Sequence, residues 1–243
     1  MTTVADLEAL LVLQARDTDL DRCRHRRATL PELAELSTID GQLAELDRRL
    51  GTARAARDVV ASRQEELERS LAATESRAAA INKRLYGGTV SATRDLQAMA
   101  AEVETLGARA SEFESQALDA LEECEPLDAR VSGLEGEKAS LLLARADAEA
   151  RLAARQAEID EEVAAHREAR AGEAARVPSE LATTYERLRQ HLGGIGVARL
   201  VGSRCDGCHL TLPATALDAL RHGPGGNVEY CEQCGRILVA PRA

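Results

Sequence analysis

Apolar residues recur at alternating steps of three and four from Leu36 onward, the spacing that lines one edge of an α-helix. One seam position takes Leu36, Leu43, Leu50, Arg57, Gln64, Leu71, Ala78 and Leu85; the other takes Ile39, Leu46, Ala53, Val60, Leu67, Thr74 and Ile81. Twelve of these fifteen are apolar in an otherwise charged segment, which predicts a coiled-coil helix over 32–85. The pattern stops at YGGTVS, residues 86–91, where Gly87 and Gly88 predict a turn and Thr89 or Ser91 is placed to cap the next helix. A second heptad then takes Leu96, Val103, Ala110, Ala117, Cys124 and Val131 on one position and Met99, Leu106, Phe113, Ala120, Leu127 and Leu134 on the other. Beyond it the seam weakens. Lys138 and Arg145 fall on it, and Leu141, Leu142, Leu152, Ile159 and Val163 continue it less strictly.

Two seams either side of a short turn predict an antiparallel hairpin. A further helix over 3–29 ends where Leu30-Pro31 interrupts the pattern. The return arm, 92–175, is long enough to run back along both earlier helices, roughly 125 Å if continuous. Pro126 inside it predicts a kink, with Gly133 and Gly136 close behind. Val177-Pro178 ends the long helix, and SELATTYERLRQHL predicts one more short helix closed by Gly193-Gly194. The chain then turns to Gly, Cys, Pro and short β-prone pieces such as VARLV and RILVA. The expected fold class is mainly α: a long antiparallel coiled-coil hairpin (1–176), a short helical connector (177–195) and a small separate C-terminal domain (196–243).

Composition sharpens this picture. The 243 residues include one Phe, three Tyr and no Trp, with 30% charged residues, as in long helices rather than aromatic-rich cores. The formal charge of −10 argues against blanket binding to nucleic acid or to an anionic membrane. No basic n-region followed by an apolar core opens the chain, and no window is apolar enough to span a bilayer, so a cytoplasmic protein with no membrane partner is expected. In that compartment six cysteines are not expected to pair as disulfides.

Cys205 and Cys208 enclose two residues, and Cys231 and Cys234 repeat the spacing after a 22-residue gap. Each pair can form a knuckle that presents two thiolates, and two knuckles complete the tetrahedral shell that zinc prefers. Gly207 and Gly235 suit such tight turns. One structural Zn²⁺ held by four thiolates is therefore expected; it would make 196–243 a zinc ribbon and staple a domain too small to fold on its own core. Four cysteines close the shell, so neither His209 nor His222 is expected to open it for catalysis. Cys23 and Cys124 lack partner spacing and read as small buried hydrophobes.

Two other stretches carry candidate chemistry. The hairpin tip gathers Lys83, Arg84, Tyr86, Gly87, Gly88, Arg94 and Gln97, a candidate interaction surface. Arg22, Arg24, Arg26 and Arg27 in RCRHRR, with Arg199, Arg204 and Arg236 in the ribbon, are candidate anion-binding residues, since guanidinium forks suit phosphate. The bland reading for both stretches is a solvated face or intramolecular ion pairs.

RLYGGTVSATRDLQAMAAEV at 84–103, followed by CDGCHLTLP and CEQCGRILV, resembles the bacterial four-cysteine zinc-ribbon family with an N-terminal coiled-coil hairpin. The likeness spans nearly the whole chain. Its zinc ligands fall on Cys205, Cys208, Cys231 and Cys234, and its tip motif on Leu85, Tyr86, Gly88, Leu96 and Gln97, with Asp95 where Glu is usual. Members are described as nucleic-acid-binding or protein-bridging factors, so the resemblance implies an adaptor. The expected function is a non-enzymatic zinc-binding adaptor or regulator whose partner is a protein, RNA or DNA. The alternatives are capture of an anionic nucleotide of the second-messenger type by the arginine clusters, and direct RNA or DNA regulation. Exposed seam surface past residue 138 also permits self-association.

Overall fold

The computed structural model describes residues 2–88, 90–222 and 228–240. Helix α1 (Val4–Ala28) starts from a capping box, in which the Thr3 hydroxyl accepts the Asp6 amide and the Asp6 carboxylate accepts the Thr3 amide. Helix α2 (Pro31–Tyr86) opens on proline, whose missing amide is an orphan there in any case. Helix α3 (Thr93–Ala174) and the short α4 (Ser179–His191) follow. The start of α3 corrects one expectation: Ala92, not Ser91, takes the cap position, its carbonyl accepting the Leu96 amide. Thr89, the other proposed cap, lies outside the described residues.

The chain forms two compact units, Glu35–Ala148 and a second made of Met1–Ala34 with Glu149–Ala243. In the first, every position of the two predicted heptads is buried or half-buried, including the polar Arg57, Gln64 and Thr74. Leu46, Leu50 and Ala53 pack on Val131 and Leu134, and Val60 packs on Ala120 and Cys124. Across the seam Arg54 meets Glu135, Arg63 meets Glu123 and Arg77 meets Glu102, so residue numbers climb on one arm as they fall on the other. The arms are antiparallel. The weak part of the seam is held by charge: Lys138 reaches Asp47 at 2.6 Å and Arg145 reaches Asp40 at 2.7 Å. Leu142, expected to extend the seam, is 48% exposed, because the stripe runs through Leu141 and Arg145 instead. α3 passes Pro126 as one uninterrupted element.

In the other unit the end of α3 runs antiparallel to α1, with Arg27 on Asp160 and Arg26 on Glu162. Along α3 the half-buried positions Leu152 and Gln156 are separated by a second consecutive step of four, a stutter in the heptad. The sheet has order β2–β1–β3. β1 (Val197–Val201) pairs antiparallel with β2 (Arg204–Cys205) and parallel with β3 (Ile237–Val239). Alternation along the strands splits two cores. Val197, Ile237 and Val239 face Leu10 and Leu13 of α1 and Leu181 and Tyr185 of α4, while Ala198, Leu200 and Leu238 face the cysteines. A helix α5 (Ala214–His222), which no periodicity in the sequence announces, follows Pro213 within the ribbon.

Candidate metal centre

Cys205 closes β2, and the chain after it turns so tightly that the amides of His209 and Cys205 bond Cys205 and Leu210 carbonyls. The second knuckle repeats the device, with the Gly235 amide on the Cys231 carbonyl at 2.7 Å and the Cys231 amide on the Arg236 carbonyl at 2.8 Å. A Cβ on Gly207 would lie 2.6 Å from Arg236 Cδ and 2.9 Å from Ala198 Cβ, so that position admits only glycine. The residue after each second cysteine is left-handed: Gly235 at φ 73°, and His209 at φ 61°.

These turns bring four sulfurs together, all within 4.8 Å of one another. Cys205 Sγ is 4.0 Å from Cys234 Sγ, and Cys208 Sγ is 3.9 Å from Cys231 Sγ. A tetrahedron of zinc–sulfur bonds near 2.3 Å has edges of about 3.8 Å. The cluster therefore fits the ion. Burial pushes the Cys205 thiol up to about 12 and raises Cys231, in each case against backbone amides of its own knuckle that favour the thiolate. Cys234 is also penalised by burial, but hydrogen bonds from the Arg236 amide and guanidinium and from the Cys231 and Cys208 thiols together bring it down to about 7. Amides aimed at sulfur are the support that a thiolate–metal shell requires.

Residues 13–193 match the CT398-like coiled coil hairpin domain, about three-quarters of the chain. The chain belongs to the CT398-like coiled-coil hairpin family. Residues 204–238, which carry all four cysteines, match the C4-type zinc ribbon domain. An uncharacterized protein of Mycobacterium tuberculosis is 29% identical over 236 residues, 97% of this chain and 96% of its own length. Among solved structures, a Mycobacterium smegmatis protein superposes with a TM-score of 0.89 at 24% identity, covering 99% of this chain and all of its own. CT398 from Chlamydia trachomatis superposes with a TM-score of 0.71 at 18% identity, covering 97% and 98% of the two chains. HP0958 from Helicobacter pylori superposes at 0.55 and 16% identity, covering both chains fully. In this CT398-like hairpin protein, no helix among the described residues is long and apolar enough to cross a membrane.

The arginines proposed for anions are not gathered into one cluster. Arg22 bonds Asp19, Arg24 bonds Asp21, and Arg26 and Arg27 reach across to Glu162 and Asp160. Arg199 forks onto Glu8, and Arg204 donates twice to the His209 carbonyl. Arg236 donates to the carbonyls of Leu192 and Ile195, bracing the end of α4 against the knuckle. Each already has an acceptor within the chain. Arg22, His25 and Arg26 do border an open hollow of about 490 Å³ with Thr18, Asp21 and Gly193–Ile195. At the tip, Lys83, Arg84, Tyr86, Gly87, Gly88, Arg94 and Gln97 are all exposed, while Leu85 and Leu96 turn toward the seam.

Sequence reasoning missed the polar knot that anchors the ribbon. Buried Asp17 accepts the Tyr185 hydroxyl at 2.8 Å and Arg170 Nε at 2.6 Å, and Arg170 also meets Glu186. Gln14 donates to the Gly194 carbonyl and accepts the Gly196 amide at 2.8 Å. A Gln and an Asp on the apolar side of α1, in step with Leu10 and Leu13, were the available signal.

Proposed function

We propose that the chain is a non-enzymatic adaptor that combines a helical hairpin arm with a zinc ribbon. The convergence of four thiols into one closed set carries this reading. Cys205, Cys208, Cys231 and Cys234 would hold a single Zn²⁺, and an all-thiolate shell supplies folding energy rather than an open position for substrate. The exposed end of the arm suits contact with a macromolecule.

A second reading, an anionic nucleotide held by α1, has the hollow beside Arg22, His25 and Arg26 in its favour. The engagement of those arginines with Asp19 and Glu162 weighs against it. The ultraviolet spectrum of the natively purified chain at low salt separates the readings. With no Trp and three Tyr, the protein itself is nearly transparent at 280 nm. An adaptor gives no excess near 260 nm. A nuclease-resistant excess that extracts as a small nucleotide would overturn the proposal in favour of the second reading, and a nuclease-sensitive one would indicate RNA or DNA.

A further inference from the structure

The end of the arm differs from the rest of it in charge and in exposure. Along Glu35–Ala148 most cations meet carboxylates: Arg48 on Glu45, Arg49 on Glu137, Arg57 on Asp128, with Arg54, Arg63, Arg77, Lys138 and Arg145 likewise paired, while Arg69 bonds a backbone carbonyl and Arg109 lies over the Phe113 ring. Lys83, Arg84 and Arg94 also have no carboxylate partner among the described residues, and unlike Arg69, Arg109 and Arg130, which lie apart along the arm, they fall together at its end. Residues 83–97 hold these three cations against one acid, Asp95, on a chain whose net charge is −10. The tip is a small positive island on an acidic protein.

An aromatic ring sits in the middle of it. Tyr86 is 81% exposed, in a chain that has three tyrosines and places Tyr185 at 0%. Leu85 already fills the seam at that level, so the fold gains nothing from the ring. The glycines beside it are explained by the turn itself: a Cβ on Gly87 would lie 2.8 Å from the Lys83 carbonyl, and Gly88 has φ 71°. Tyrosine and arginine are enriched among the residues that anchor protein interfaces: the rigid ring brings a large contact area at low entropy cost, and the guanidinium presents a preformed fork to carboxylates.

We propose that the hairpin tip docks an acidic segment of a protein partner, with Lys83, Arg84 and Arg94 pairing with its carboxylates and Tyr86 covering an apolar side chain within it. Charge complementarity selects this occupant over nucleic acid. A phosphate backbone would extend past the island and run onto Glu75, Glu104 and the rest of the acid-rich arms, where it is repelled. A short acidic stretch can end where the island ends.

The inference rests on the adaptor reading but fails separately from it, since co-purifying nucleotide would sink the reading and leave the following binding result untouched. The full-length, zinc-loaded chain is titrated by fluorescence anisotropy with a short labelled peptide of Glu, Asp and Leu, and with a uridine oligonucleotide of equal net charge. The peptide should bind, more weakly as salt rises. Lys83→Gln/Arg84→Gln/Arg94→Gln should lose about tenfold in affinity, and Tyr86→Ser about fivefold. Arg22→Gln/Arg24→Gln/Arg27→Gln, which removes the same charge from α1, should leave affinity within about twofold. Unchanged helix content in each variant shows that folding is intact. Equal losses in the two triple variants, tighter binding of the oligonucleotide than of the peptide, or a wild-type dimer that the tip triple variant makes monomeric would each overturn the proposal.

Discussion

His209 carries the left-handed backbone angle that the second knuckle assigns to Gly235. A side chain in that region crowds its own carbonyl, so His209→Gly should raise the stability of the zinc-loaded ribbon by about 1 kcal/mol, read by thermal unfolding. Tyr185 is the opposite case. Its hydroxyl is fully buried on Asp17, and burial together with that acceptor pushes the phenol well above its ordinary value. Tyr185→Phe takes away one donor to a buried carboxylate and should cost about 2 kcal/mol in denaturant unfolding. At the metal, two thiols set the sign of the pH dependence. Cys205 and Cys231 are held protonated by burial, so zinc must expel their protons, and affinity should fall as pH is lowered. Cys234, brought to about 7, should release less of a proton near neutrality than either of them; calorimetry in buffers of different ionisation enthalpy measures the count. The ligand set was legible because a metal needs its ligands at fixed local spacing. Asp17 was not, since a lone acid on a helix gives no sign that Tyr185 will meet it 168 residues later.

The helices were the most legible part of the chain. A seam requires a periodic stripe and nothing else, so positions as poor as Arg57 and Gln64 could be placed by phase alone, and they are half-buried as that phase demands. Phase failed at Leu142, where a run of three leucines hid which of them the stripe used. Helix α5 was overlooked because glycines and cysteines dominate its surroundings, although Pro213 marks its start. α3 runs on through Pro126 as one helical element, which the sequence alone had not decided. Local disruption is still costly: Pro126→Ala should restore an amide and stabilise the arm by up to about 3 kcal/mol. Gly51 and Gly136 stand in helix, and a Cβ added to either would meet nothing within 4 Å. Replacing either with alanine should add about 0.5–1 kcal/mol, since each gains helix propensity and displaces no neighbour. Thermal unfolding of the three variants tests both statements.

At the scale of the molecule, the zinc ribbon is not a detachable bead. Its β1 and β3 share a core with Leu10 and Leu13 of α1 and Leu181 of α4, and Arg199 is tied to Glu8. Chelation, or Cys231→Ser, should therefore abolish metal binding, expose 197–240 to protease and loosen α1. The arm at 35–148 keeps its own seam and should retain its helical circular dichroism. This coupling was beyond the reach of the sequence, because Gln14 meets Gly196 across 182 residues and no periodicity announces such a pair. The same coupling governs how the chain is made. The first helix leaves the ribosome with Leu10, Leu13 and Leu20 uncovered, and their partners belong largely to the last third of the message. At 5–20 residues per second, that wait is on the order of 10–40 s. For that interval the nascent N-terminus is an oily strip in search of cover, and a ribosome that stalls before the final cysteines leaves it so.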